Sequence, residues 1–299
     1  MSFIDDARRK YATLDISGKL IAIIAITSII GWVMDRLFSP LYDQFVLPRE
    51  FLPALMQPWS YITYGFLHSG IFHLVGNALG LYYSGQFFLN IFKGRQYLTL
   101  FFAGVLAGGV AFTLATVLLP GWFMAPGVVG ASAGVFALII FVCTYFPENE
   151  VRLIFFNVKL KYIAYAFVAV NLFALTARVG AGSGLGHLAG MAVGYYAAVR
   201  MKDGIDILEG LAKVGDFFIN LFKSSSGSTL SRKQKKKNNS RMKTVYRNTG
   251  STSKSTSKTS RAAAPNQAEI DKILDKISES GYDSLSKTEK DTLFKAGRD

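Results

Sequence analysis

Long apolar segments recur along the first two thirds of the chain. Between Gln96 and Pro147 there is no Asp, Glu, Lys, Arg or His, and the stretch from Phe51 to Phe92 contains two histidines but no formal charge. A membrane-spanning helix needs about 20 predominantly apolar residues. The pattern therefore predicts six such helices, at residues 17–37, 71–92, 97–119, 131–147, 160–177 and 184–200.

Two further segments are rich in apolar residues but are not predicted to span the membrane. The connection at residues 38–70 is rich in aromatic and aliphatic residues interrupted by prolines. Because a structureless loop of this length is uncommon, we expect short helices lying in or against the outer membrane interface. Residues 201–222 alternate apolar and charged positions at helical spacing, which predicts an amphipathic helix on the cytoplasmic face of the membrane.

Charge is distributed unevenly along the chain. The formal net charge is +13, of which residues 1–199 carry +4 and residues 200–299 carry +9, although 51% of all residues are hydrophobic. The sequence therefore predicts an apolar, membrane-embedded body followed by a basic tail. The first span leads into Asp35 and Arg36 without a small-residue cleavage site, so we expect it to be retained and not removed as a signal peptide.

The basic residues of the body lie in alternate connections. They precede the first span, separate the second from the third, and separate the fourth from the fifth: Arg8, Arg9, Lys10, Lys93, Arg95, Arg152, Lys159 and Lys161. Loops rich in Lys and Arg remain in the cytoplasm. The sequence therefore predicts a multi-pass membrane protein in which residues 1–16 and the C-terminal tail are both cytoplasmic.

The tail divides into a linker and a small ordered unit. Residues 223–264 are basic and of low complexity, a composition that cannot bury enough apolar surface to fold. A basic run can bind nucleic acid, but next to a membrane body we favour a tether attracted to anionic lipid. In residues 265–299, Asn266 and Ser286 are each followed three positions later by Glu, which predicts two capped helices forming a hairpin.

All three histidines, His68, His73 and His187, lie near predicted membrane boundaries. Ionisable groups in such places are costly, so they are functional candidates. Spans two, four and six run from outside to inside, and each carries His73, Ser132 or His187 within its first residues. These three side chains therefore share one depth under the outer surface, and Asn77 lies one helical turn after His73 on the same face.

Small residues predict a close crossing of spans four and six. Gly130 and Gly134 have GxxxG spacing, and the sixth span has a glycine edge formed by Gly186, Gly190 and Gly194. Such a crossing would bring Ser132 within hydrogen-bond distance of His187, giving a nucleophile and its base. His73 and Asn77 could then supply donors to an oxyanion. On the alternative reading, the small residues are packing and the histidines make interhelical hydrogen bonds.

The same residues resemble the motifs of the rhomboid intramembrane serine proteases. The sequence His68-Ser-Gly-Ile-Phe-His73-Leu-Val-Gly-Asn77 matches HxxxxHxxxN, Gly130-Ala-Ser132 matches GxS, and Gly186-His187-Leu-Ala-Gly190 matches GHxxG. The resemblance covers residues 17–200. It implies an all-α polytopic membrane protein, a six-helix bundle with a membrane-embedded first loop, to which the C-terminal hairpin is added as in some bacterial members.

The resemblance also implies roles for the candidate residues. Ser132 would attack the scissile carbonyl and His187 would accept its proton, as a dyad, because no acid lies in spans two to six. His73, Asn77 and the Ser132 backbone N–H would form the oxyanion hole, and His68 would border a water-retaining cavity. Phe136 stands where a tyrosine is common and would stack on His187 without a hydroxyl.

The resemblance further implies an enzyme of the bacterial inner membrane that needs neither metal nor cofactor and cleaves single-pass membrane proteins. The fifth span and the connection at 178–185 would gate substrate entry. One alternative is a catalytically silent rhomboid-like adaptor that binds membrane helices, although such members lack the serine or the histidine. A transporter or channel would normally show charged groups near mid-span or repeated broken helices, which this sequence lacks.

Overall fold

The computed structural model of the protein describes residues 3–122, 127–153, 156–177, 181–222 and 267–296. It is mostly helical and divides into two compact units, Met1–Gly227 and Ser228–Asp299. The predicted linker at 223–264 lies outside the described residues, as does Asn266. The two units are therefore described separately.

The first unit contains a helix for each predicted span, joined by shorter helices. In chain order the helices are α1 Phe3–Thr13, α2 Ile16–Leu37, α3 Ser39–Asp43, α4 Phe51–Met56, α5 Ser60–Thr63, α6 Ile71–Phe88, α7 Gly94–Leu118, α8 Ser132–Tyr145, α9 Leu160–Thr176, α10 Ala181–Lys202 and α11 Ile207–Phe222. The predicted spans correspond to α2 and to α6 through α10. Because α10 begins at Ala181, the connection expected at 178–185 is largely helix.

Length and hydropathy single out two of these helices. Within the described part of the chain, α2 and α7 are long and apolar enough to cross a bilayer, and α8 and α9 are shorter apolar helices. Apolar helices of this kind indicate a membrane protein. The full count of six crossings stays a prediction.

The structure also contains two short antiparallel β-pairs, so the all-α prediction was wrong in this respect. Strand β1 (Leu47–Pro48) pairs with β2 (Gly127–Val128), and β3 (Glu150–Leu153) pairs with β4 (Phe156–Lys159). Both pairs lie in connections between helices, where the backbone is extended and its polar groups need partners. Short runs of two to four residues give little periodicity from which to predict a strand.

The connection between α2 and α6 forms short helices, as predicted, and is attached to the bundle by polar contacts. Within the connection, the Trp59 indole N–H donates to the carbonyl of Gln44 at 2.8 Å. The attachment to the bundle is made by Tyr61, whose Oη lies 2.9 Å from Thr113 Oγ1 on α7. Leu47 is fully buried. The connection is therefore a packed part of the fold, while its depth in a bilayer stays a prediction.

The crossing of α8 and α10 is close because glycines on α10 face backbone on α8. A Cβ added at Gly190 would collide with the carbonyl of Ala133, and one at Gly194 would collide with that of Ala137. Gly134 was predicted to lie at this crossing. That prediction was wrong, because Gly134 faces Phe101 on α7. The glycine edge of α10 therefore brings the two helices together against alanines.

Helix α11 is attached to the start of α7 by polar side chains. Arg95 lies 2.6 Å from Asp216 and 3.4 Å from Glu209, and the Gln96 amide donates to Asp206 at 2.7 Å. The predicted amphipathic helix begins at Ile207, later than expected, because α10 continues to Lys202. Its contact with lipid stays a prediction.

The second unit contains the two predicted helices, α12 (Gln267–Ser280) and α13 (Lys287–Ala296). The first ends at Gly281, whose φ of +80° favours glycine. The second has the expected capping box, in which the Ser286 backbone N–H donates to Glu289 at 2.7 Å and the Glu289 N–H donates to the Ser286 hydroxyl at 3.4 Å. The predicted hairpin helices are therefore present.

We expect Gly190→Ala to destabilise the first unit because the added methyl group meets the Ala133 carbonyl at the helix crossing. Overpacking of this kind typically costs about 1–3 kcal/mol. Gly210→Ala is the matched control, since no heavy atom lies within 4 Å of a Cβ at that helical position. Thermal unfolding in detergent should show a lower Tm for Gly190→Ala only. Equal Tm values for both variants would contradict the proposed packing.

Candidate active site

Ser132 and His187 form a direct hydrogen bond. The Ser132 Oγ lies 2.6 Å from the Nε2 of His187. Both side chains are half-buried; Ser132 is the first residue of α8 and His187 lies in the second turn of α10. This geometry allows the hydroxyl proton to pass to an unprotonated Nε2 as the oxygen attacks a carbonyl.

The turn before Ser132 depends on Gly130. Its φ of +135° is one that residues with a side chain rarely adopt, and a Cβ there would lie 2.6 Å from the His73 ring. The Gly130 N–H donates to the buried Tyr64 carbonyl at 2.9 Å. The turn thus places the hydroxyl and the backbone N–H of Ser132 at the start of α8, where N–H groups have no acceptor within the helix.

His73 and Asn77 line the same cavity as Ser132 and His187. The Asn77 amide nitrogen donates to the His73 carbonyl at 2.9 Å, and the Nδ1 of His73 lies 3.2 Å from the Ser69 hydroxyl. The opposite edge of the His73 ring faces Gly130. The structure therefore brings both predicted oxyanion donors to the cavity wall beside the nucleophile.

His68 is buried behind the active-site turn and is not among the residues that line the cavity at Ser132. Its Nδ1 lies 2.9 Å from the Ser28 hydroxyl on α2, and its Nε2 accepts from the Ala131 N–H at 3.5 Å. His68 thus connects α2 to the turn before Ser132. The water-retaining cavity expected beside His68 stays a prediction.

Phe136 packs against the His187 imidazole. The two ring centroids are 4.8 Å apart with an interplanar angle of 52°, and the Phe136 ring is 5.2 Å from that of Phe167 on α9. Phe136 lies one helical turn after Ser132, on the same face of α8. Its ring therefore supports the imidazole by apolar contact alone.

The cavity at Ser132 has a volume of about 640 Å³ and lies between α6, α8 and α9. Most of its lining is apolar, as illustrated by Phe72, Tyr83, Val135, Ile139, Ile163 and Phe167. Its far end reaches Val151 and Arg152 on β3. The site is thus an apolar chamber with polar groups concentrated at the end where α6, α8 and α10 begin.

An ion-pair cluster links Glu148, which lies shortly before β3, to the start of α9. The Glu148 carboxylate lies 2.7 Å from Lys159 and 2.6 Å from Lys161. Hydrogen bonds from these two ammonium groups lower the pKa of Glu148 to about 2, so it is ionised at neutral pH. The β3–β4 pair is therefore connected to the start of α9, the helix that forms one wall of the cavity.

Residues 55–203 match the rhomboid domain. The chain belongs to the rhomboid family. The matched segment contains all six candidate residues from His68 to His187, whereas Ser28 on α2 lies outside it. Residues 257–295 match a separate family of unknown function, DUF6576, which covers the α12 and α13 helices of the second unit.

Two curated relatives are similar to part of this rhomboid. The chain is 35% identical over 83 residues to Rhomboid-related protein 2 of Mus musculus, an alignment covering 28% of this chain and 25% of the relative. It is 33% identical over 99 residues to Rhomboid-like protein 16, chloroplastic, of Arabidopsis thaliana, covering 29% and 31%. The chain thus aligns with less than a third of each relative's length.

The rhomboid site includes one residue that sequence reasoning missed. The Asn171 Oδ1 on α9 lies 2.8 Å from the His187 Nδ1. The dyad prediction rested on the absence of an acid from spans two to six, but a neutral amide satisfies the same hydrogen bond. The signal in the sequence was an isolated amide within the apolar run of the fifth predicted span.

We expect Gly130→Ala to lower the reactivity of Ser132 because the new methyl group strains the turn and displaces His73. A strained φ of this kind costs about 1–3 kcal/mol. If this strain raises the free-energy barrier for attack by Ser132, the rate of labelling with a fluorophosphonate should fall at least about tenfold. The control is Gly121→Ala, in the same connection but with no heavy atom within 4 Å. Unchanged labelling of Gly130→Ala would show that the turn tolerates a side chain.

Proposed function

We propose that this rhomboid is an intramembrane serine endopeptidase that cleaves single-pass membrane proteins within or next to a transmembrane helix. The carrying observation is the 2.6 Å contact between Ser132 and His187, at the polar end of an apolar cavity. A half-buried hydroxyl bonded to an imidazole is the minimum nucleophile and base for acyl transfer. No cofactor enters this scheme.

The proposed reaction begins when the Ser132 oxygen attacks the scissile carbonyl carbon while its proton moves to His187. The tetrahedral intermediate collapses as the C–N bond breaks, and His187 returns the proton to the leaving amine. The acyl-enzyme ester on Ser132 is then attacked by water, which His187 deprotonates. The carboxyl product leaves and Ser132 regains its proton.

The oxyanion of the intermediate needs hydrogen-bond donors that are in place before the reaction. The Ser132 N–H lies at the start of α8, where the helix dipole also favours negative charge. His73 and Asn77 line the same wall and carry N–H groups that can point towards the oxyanion. Donors fixed in a site with little water stabilise developing charge most effectively.

The cavity lining bears on how a substrate binds. Residues of α6 such as Phe72 and Tyr83 and residues of α9 such as Ile163 and Phe167 line opposite walls of the cavity. We therefore propose that the cleaved segment enters between α6 and α9. The apolar lining favours a segment drawn from a membrane helix.

The proposed setting is the bacterial inner membrane, with both termini in the cytoplasm and the site near the outer face. Support for this orientation comes from the basic residues that flank alternate spans. Helices α6, α8 and α10 carry His73, Ser132 and His187 near their N-termini, so a single orientation accounts for all three. Lipid contact through α11 and the basic linker belongs to the same proposal.

We expect wild-type protein in vesicles to cleave a single-pass substrate, and Ser132→Ala and His187→Ala each to lower the rate at least about 1,000-fold, because each removes a partner of the proton transfer. Ser39→Ala, an exposed serine at the start of α3, serves as the control. Product analysis by gel and mass spectrometry measures both the rate and the cut site.

The adaptor alternative predicts a different result in the same experiment. Wild type and both variants would then bind the substrate equally, and none would cleave it. Cleavage that persists in Ser132→Ala would exclude the proposed nucleophile. The comparison therefore separates a protease from a silent helix-binding protein.

A further inference from the structure

We propose that Asn171 is a positioning residue for His187: it fixes the imidazole in the one tautomer that can accept the Ser132 proton. This inference rests on the proposed protease function. Asn171 is then a third group beside the serine and the histidine. It lies on α9, whereas Ser132 lies on α8 and His187 on α10.

The orientation of the Asn171 amide follows from its second contact. Its Nδ2 lies 2.9 Å from the Phe167 carbonyl oxygen. A carbonyl only accepts hydrogen bonds, so the amide nitrogen must face Phe167 and the amide oxygen must face His187. A flipped amide would place two acceptors against each other.

The tautomer of His187 follows in turn. The amide oxygen of Asn171, 2.8 Å from Nδ1, only accepts, so Nδ1 must carry a hydrogen. In the neutral ring Nε2 is then unprotonated. This is the nitrogen that lies 2.6 Å from the Ser132 oxygen. The other tautomer would direct an N–H at Ser132 and leave no base to accept its proton.

The surroundings favour an amide over a carboxylate in this position. Asn171 is 7% exposed and lies on an apolar helix next to Phe167. An ionised carboxylate buried there without a cationic partner would be costly, whereas a neutral amide needs only hydrogen bonds. Both polar ends of the Asn171 side chain have a partner, one on its own helix and one on α10.

Three contacts then hold the imidazole on three sides. Asn171 bonds to Nδ1, Ser132 contacts Nε2, and Phe136 packs on the ring at a centroid distance of 4.8 Å. Loss of Asn171 leaves the ring with its apolar support but without the bond that selects the tautomer. The chemical step should therefore suffer more than substrate binding.

The test compares Asn171→Leu, which removes the acceptor, with Asn171→Asp, which retains an acceptor oxygen. Thr176→Val is the control, because Thr176 lies exposed on the same helix and donates to the Phe173 carbonyl of that helix. For Asn171→Leu we expect kcat to fall roughly 10- to 100-fold, as for other groups that orient a functional histidine, with KM within about twofold. Asn171→Asp should recover part of the loss of kcat, because it keeps an acceptor oxygen for Nδ1, but with a lower Tm, because its carboxyl group is buried.

A spectroscopic measurement reports the tautomer without relying on cleavage. The chain has three histidines, so ¹⁵N-histidine labelling gives few signals, and the His187 signal is identified by its loss in His187→Ala. Wild type and Asn171→Asp should show a protonated Nδ1. Asn171→Leu should show a mixture of tautomers or a protonated Nε2.

The outcomes separate this inference from the proposed function. An altered tautomer in Asn171→Leu with the expected loss of kcat supports positioning. An unchanged tautomer, or a kcat equal to that of Thr176→Val, overturns it. If wild type cleaves nothing but the tautomer still changes in Asn171→Leu, positioning stands and the protease function fails. A Tm measured for each variant identifies any that do not fold.

Discussion

The close crossing of α8 and α10 is the constraint on which the site depends. Gly190 and Gly194 let the backbone of α10 lie against the carbonyls of α8. A side chain at either position would collide with the carbonyl of Ala133 or Ala137. Ser132 and His187 lie at the start of this crossing. They meet because the glycines of α10 already hold the two helices in contact further along. The residues that pack the crossing and those proposed for the chemistry therefore lie side by side on the same two helices.

Several buried polar groups in this apolar body are hydrogen-bonded across helices. His68 bonds to Ser28 and Ala131, and Asn171 bonds to His187. A polar group left without a partner in hydrocarbon surroundings would be costly. These contacts therefore also fix the relative positions of the segments they join. The turn before Ser132 is held in this way from α2.

Much of the helical framework could be predicted because apolar runs encode helix positions directly. Each of the six predicted spans corresponds to a helix, and the capping box at Ser286 is present. The short β-pairs escaped prediction because strands of two to four residues carry almost no periodic signal. The contact between His68 and Ser28 escaped prediction for a different reason: the sequence did not show which helix would pack over His68.

The sequence by itself determined which segments form apolar helices, because hydropathy acts locally along the chain. It thus placed His73, Ser132 and His187 near the N-termini of three of these helices. Only the tertiary structure decided which side chains touch, because contacts between helices depend on rotation about each helix axis. Asn171 illustrates the difference: it was visible as an isolated amide in an apolar run, but its bond to His187 exists only because α9 and α10 pack side by side.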